Sequence, residues 1–141
     1  GSKKMSSSDA SDLSRLNLTD DTDELAKKIR KAKTDPAPLP DTLEELAERP
    51  EARNLINIYA GLADVTPQEV LSEYAGAEFS KFKPALADLA VQMLSPITQE
   101  MRRLMDDTDH VDAVLRDGAE RARVLAAPVL RDVKAIFGFV S

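Results

Sequence analysis

Near the start of the chain, Lys3, Lys4, Ser6, Ser7 and Ser8 gather two ammonium groups and three hydroxyls on a short polar stretch around Met5. Such a stretch can wrap a phosphate chain. Ammonium groups neutralise charge, while hydroxyls and backbone amides donate hydrogen bonds. The same composition also suits a polar chain end with no ligand, so its meaning depends on the rest of the chain. His110 is the only histidine and there is no cysteine, which excludes thiol catalysis, disulfides and two-histidine mechanisms. Asp107, Asp109 and Asp112 surround His110, but an acidic, capped helix start explains that group better than a metal site.

These chemical groups need a scaffold, and the apolar spacing predicts a mostly α-helical one. Residues 1–12 have no hydrophobic period and read as a loop. Leu16 and Leu18 alternate with Arg15 and Asn17, suggesting one short strand whose sheet would lie outside this chain. Asp21-Thr22-Asp23-Glu24 opens a helix carrying Leu25, Ile29 and Ala32 on one face, with Lys27, Lys28, Arg30, Lys31 and Lys33 on the remainder. Pro36, Pro38 and Pro40 end it and form a stiff connector. A short segment from Asp41 to Arg49 follows, then a helix with Pro50 in its first turn and Leu55, Ile58, Tyr59 and Leu62 at helical spacing.

Thr66-Pro67-Gln68-Glu69 is a strong helix start, and Gly76 is a stop. From Phe82 to Met105 the period continues through Leu86, Leu89, Met93 and Ile97. Pro96 is expected to kink or split that helix, and Met93, Met101 and Met105 read as core filler. The last helix is expected near Asp109, with a stripe from Val111 to Val133, a bend at Pro128 and an end at Gly138. Tyr59, Tyr74, Phe79 and Phe82 could stack on bases, but their place on apolar stripes favours burial. Together these segments predict a helical bundle with short loops.

Composition sets the outer bounds. With 141 residues, 43% of them hydrophobic and 31% charged, the chain is long enough for one domain with a real core. A net charge of -6 argues against non-specific nucleic-acid binding, so any RNA contact would use a local basic face. The Lys27–Lys33 helix could meet an RNA backbone or be a solvated helix face. The same two readings hold for Arg102, Arg103, Arg116, Arg121 and Arg123. No apolar run approaches a membrane span, and there is no secretory signal pattern at the start.

In order along the chain stand Lys4-Met5-Ser6-Ser7-Ser8, Leu16-Asn17-Leu18-Thr19-Asp20, Lys27-Lys28-Ile29-Arg30-Lys31-Ala32-Lys33-Thr34-Asp35 and Asn54-Leu55-Ile56-Asn57-Ile58-Tyr59. Phe82-Lys83-Pro84-Ala85-Leu86-Ala87, Leu94-Ser95-Pro96-Ile97 and Gly118-Ala119-Glu120-Arg121-Ala122 follow. This succession resembles the tryptophanyl branch of the class I aminoacyl-tRNA synthetases, beginning at its Lys-Met-Ser-Lys-Ser signature loop. The tyrosyl branch shares the loop but matches the later segments poorly.

The resemblance implies that residues 1–20 are the loop and last strand at the edge of an absent Rossmann-type catalytic domain, and residues 21–141 a helical tRNA-binding domain. It implies that Lys4, Met5, Ser6, Ser7 and Ser8 contact ATP, and that Lys4 stabilises the charge of departing pyrophosphate. Lys4 matches the first signature lysine. Ser7 stands at the second, where it can donate a hydrogen bond but cannot neutralise charge. Also implied are ATP with Mg2+, tryptophan, tRNA(Trp), a cytoplasmic location and a homodimeric complete enzyme. Without the upstream half, this chain alone is expected to be inactive. A tyrosyl-type class I synthetase fragment and a non-enzymatic helical interaction module are the alternatives.

Overall fold

The computed structural model describes residues 11–139; Lys4, Met5, Ser6, Ser7 and Ser8 lie outside them. Among the described residues a 3-10 turn, Asp12–Ser14, precedes six α-helices. These are α1 (Thr22–Lys31), α2 (Leu43–Ala47), α3 (Pro50–Ala63), α4 (Pro67–Tyr74), α5 (Phe79–Asp106) and α6 (Thr108–Phe137). No strand occurs among them. The Leu16–Leu18 alternation is therefore not a strand here: side-chain hydrogen bonds hold this segment in place of a sheet ladder.

Local chemistry sets the helix ends. Asp21 caps α1 by accepting from the Glu24 amide. Pro50 takes the first position of α3, where its missing N–H costs nothing. A full capping box opens α4: Thr66 accepts from the Glu69 amide, and Glu69 accepts from the Thr66 amide at 2.7 Å. Asp64 closes α3 in the left-handed region, at φ 55°. Gly76 follows the end of α4 at φ 69°, where a Cβ would be strained.

The chain divides into two compact units, one up to Glu100 and one from Met101. The first holds α1 to α4 and most of α5. Its core joins Ile29, Leu39, Leu46, Leu55, Ile56, Val70, Leu71, Phe79, Phe82 and Leu86. Tyr59, Tyr74 and Phe82 form an aromatic trio, with ring centroids 5.1–5.6 Å apart, and the two tyrosine hydroxyls sit 3.2 Å from each other. Burial is thus the role of these aromatic rings. The proline connector is fixed in two ways. Leu39 is buried, and its backbone pairs with the α4–α5 turn through Leu39 N–Ala77 O (2.9 Å) and Gly76 N–Leu39 O (3.0 Å). Arg49 clamps the connector from the other side, donating to Asp35 Oδ1 and Oδ2 and to the carbonyls of Ala37 and Pro38.

The second unit holds the end of α5 and α6. Side chains from Asp112 to Phe139 are exposed, including the apolar stripe. Pairs one turn apart, Asp112–Arg116 and Asp117–Arg121, support α6, as does Glu120–Arg123. Neither Pro96 nor Pro128 splits its helix. Each removes one ladder hydrogen bond, and the many remaining bonds keep both helices continuous. Met93 and Met105 are exposed and Met101 is only half-buried, so the methionines are not core filler.

Candidate functional site

Near the start of the described chain lies a compact ionic cluster whose first member, Asp12, is four residues beyond Ser8. Its centre is Lys28, whose side chain is only 6% exposed. The spacing that buries it is visible in α1: Leu25, Lys28, Ile29 and Ala32 follow the i, i+3, i+4, i+7 rule for one helix face. A lysine placed on the apolar face needs anionic partners, because an unpaired buried charge is very costly.

Lys28 has two such partners. Its Nζ lies 2.5 Å from Asp12 Oδ2 and 2.6 Å from Asp20 Oδ2. Asp20 is itself buried and also accepts from the Asn17 amide at 2.8 Å and from Asn17 Nδ2 at 3.3 Å. Asn17 Nδ2 donates to Asp12 Oδ1 at 2.9 Å, and Arg15 lies 3.3 Å from the same oxygen. Two carboxylates and two cations therefore cancel within one closed network.

The network keeps its charges. Lys28's hydrogen bond, then that of Asn17, holds the Asp12 carboxyl below the ordinary carboxylate value. Burial pushes the Asp20 carboxyl up, but hydrogen bonds from Lys28 and Asn17 outweigh it and leave the group below its ordinary value. Burial likewise pushes the Lys28 ammonium down, and its bonds to Asp12 and Asp20 more than reverse this.

The other cations on and just after α1 behave differently. Lys27, Arg30, Lys31 and Lys33 are exposed, and Lys33 has only a long contact of 3.9 Å with Glu51. They form a basic face, whereas Lys28 belongs to the interior. Sequence reasoning grouped all of these residues together. The signal that separates Lys28 was its place in the apolar stripe. Of the second basic set, Arg116, Arg121 and Arg123 pair with acidic residues of their own helix.

Elsewhere, Lys83 reaches from α5 to the carbonyl of Ala32 at 2.8 Å, and burial pushes its ammonium down. That contact satisfies the end of α1. His110 is exposed and donates its amide to the Asp107 cap, which supports the capped-helix reading of this acidic group. Among the described residues no cluster of histidine or acidic side chains could hold a metal ion. An open groove of about 570 Å³ lies beside Pro38, Leu39 and Arg49, but Asp41, Glu45 and Glu48 line it and disfavour a phosphate ligand. No described helix is long and apolar enough to cross a membrane.

Curated relatives match nearly the whole of this chain. The curated tryptophan–tRNA ligase of Rhizobium meliloti (strain 1021) is 63% identical over 140 residues, covering 99% of this chain and 40% of the relative. That of Mesorhizobium japonicum is 61% identical over 140 residues, with 99% and 39% covered. The Rickettsia felis ligase is 42% identical over the same length, with 99% and 42% covered. The chain thus spans about two fifths of the length of these relatives. The family model for class I tRNA synthetases (W and Y) matches residues 1–95, two thirds of the chain, and the chain belongs to that family.

Proposed function

We propose that this chain is part of a tryptophan–tRNA ligase, contributing the loop that handles the ATP phosphates and the helical domain that meets tRNA(Trp). The observation that carries this reading is the 63% identity over 140 residues with a ligase of that name. The motif succession from Lys4-Met5-Ser6-Ser7-Ser8 to Gly118-Ala119-Glu120-Arg121-Ala122 runs the same way.

In this reading the tryptophan carboxylate attacks the α-phosphorus of ATP. A new phosphorus–oxygen bond forms as the bond to the bridging oxygen breaks, and pyrophosphate leaves with the electron pair. Charge grows on the leaving group, and Lys4 offers a cation there. Ser6, Ser7, Ser8 and the backbone around Met5 add hydrogen bonds. Ser7 cannot share the cationic role. Mg2+ accompanies the ATP phosphates, and no described residue of this chain is assigned to it. The exposed cations Lys27, Arg30, Lys31 and Lys33 on and just after α1 are the candidates for contact with the tRNA backbone. A homodimeric, cytoplasmic complete enzyme belongs to the same proposal.

The test is tryptophan-dependent ATP–pyrophosphate exchange by the full-length ligase carrying this chain. Lys4→Ala lowers the rate constant by about 100-fold, the scale of losing one well-placed electrostatic contact in a transition state. An unchanged rate constant refutes the assignment. Exchange that depends on tyrosine instead of tryptophan assigns the chain to the tyrosyl branch.

A further inference from the structure

The ionic cluster around Lys28 joins the segment before α1 to α1 itself. It collects Asp12, Arg15 and Asn17 from the segment before α1 and ties them to Lys28, on the same face of α1 as the core residue Ile29. Asp12 is the informative member. Its side chain is 56% exposed, yet it binds the buried ammonium of Lys28 at 2.5 Å, the Asn17 amide group at 2.9 Å and Arg15 at 3.3 Å. Three donors on one exposed carboxylate fix the chain at that point. Ser8 precedes Asp12 by four residues, and four residues reach at most about 14 Å when fully extended.

The geometry points to Lys28 as a positioning residue that acts through Asp12, fixing the downstream root of the Lys4–Ser8 phosphate loop on helix α1. The inference rests on the reading of Lys4–Ser8 as that loop. It goes further in assigning a role to a lysine whose side chain is buried. The anchor limits how far the root of the loop can move, and small displacements of a reacting group are costly in catalysis. The pairing also cancels the Asp12 charge, which would otherwise stand near a polyphosphate.

These two effects have opposite signs in one substitution. Asp12→Asn removes the ion pair to Lys28 but keeps the side-chain shape and the buried Asp20–Lys28 pair. Lys28→Met is the poorer probe, because it leaves Asp20 buried without its cation and can prevent folding. Removing a negative charge near the loop would by itself improve ATP use, whereas losing the anchor impairs it.

The experiment measures pyrophosphate exchange in the full-length ligase carrying this chain, for wild type, Asp12→Asn, Lys4→Ala and the double variant. Asp12→Asn is expected to lower kcat/KM for ATP between about 10- and 100-fold, with the KM for tryptophan little changed. In the Lys4→Ala background most of that loss should vanish, because the anchor acts through the loop that Lys4 serves. A kcat/KM for ATP that is unchanged or improved in Asp12→Asn overturns the inference. So does an equal loss in both backgrounds, which marks a general structural defect. If Lys4→Ala itself loses nothing, the loop reading falls and the inference falls with it.

Discussion

Replacing Arg49 with lysine keeps the charge and removes the shape. The guanidinium makes four hydrogen bonds: Nε to Asp35 Oδ2 at 3.1 Å, Nη2 to Asp35 Oδ1 at 2.6 Å, Nη2 to the Ala37 carbonyl at 2.9 Å and Nη1 to the Pro38 carbonyl at 2.5 Å. It also lies 5.9 Å from the centre of the Phe79 ring. A lysine ammonium is a point donor and cannot span this fork. It retains one contact to Asp35 and loses the other, while the two carbonyls are exposed and rehydrate at little cost. A charge-assisted hydrogen bond contributes about 1.5–3 kcal/mol net, and the partial exposure of both partners (20% and 33%) places this one at the low end.

Arg49→Lys should therefore destabilise the chain by about 1.5 kcal/mol, which moves a urea midpoint down by about 0.5–1 M. The pH dependence sharpens the test. Hydrogen bonding from Arg49 holds the folded Asp35 carboxyl below its ordinary value of 3.8. A lowered carboxylate adds stability that is fully present above the unfolded value and is lost as pH falls through the folded one. The difference between wild type and Arg49→Lys should be complete near neutral pH and shrink below 3.8 as Asp35 gains its proton. Equal midpoints at neutral pH, or a difference that persists unchanged in acid, would refute the clamp as the source of the effect.

Thr66→Ala removes one half of the reciprocal bonds at the start of α4 and should cost about 1 kcal/mol in denaturant melts, with Thr66→Ser restoring most of it. Phe82→Ala empties a fully buried position and breaks both ring contacts that Phe82 makes in the aromatic trio; a loss of about 3–5 kcal/mol is expected in the same melts, far above that of an exposed replacement such as Leu43→Ala.

Much of the fold was legible in the sequence because its determinants are local. Leu25–Ile29, Leu55–Tyr59 and Leu86–Ala90 are read from helical spacing, and Asp21, Pro50 and Thr66 mark helix starts by chemistry that acts within one turn. What escaped was tertiary. Leu16 and Leu18 carry the alternation of a strand, yet two residues on one face are too few to specify pairing, and Asn17 and Asp20 satisfy each other instead. Pro96 suggested a possible split because the sequence shows the missing N–H but not the strength of the surrounding ladder. Met93 and Met105 share the period of core residues but lie exposed. For the site, the residues proposed to meet ATP were read entirely from the sequence. Their anchor was hidden among the clustered cations of Lys27 to Lys33 until the structure set Lys28 apart.

The bridge between Leu39 and the α4–α5 turn divides the chain into what can lengthen and what cannot. Leu39 N–Ala77 O and Gly76 N–Leu39 O join two points far apart in sequence and close a loop that contains α2, α3 and α4. Closure entropy grows only with the logarithm of loop length, so even doubling such a loop costs about 0.6 kcal/mol. Extra residues at the exposed turn Asp64–Val65 are therefore thermodynamically cheap. An inserted residue beside Leu39 is not, because it shifts one partner of both bridge bonds and draws a buried leucine out of the core. Descendants of this sequence are free to vary in length within the loop and are held to a fixed count at its root.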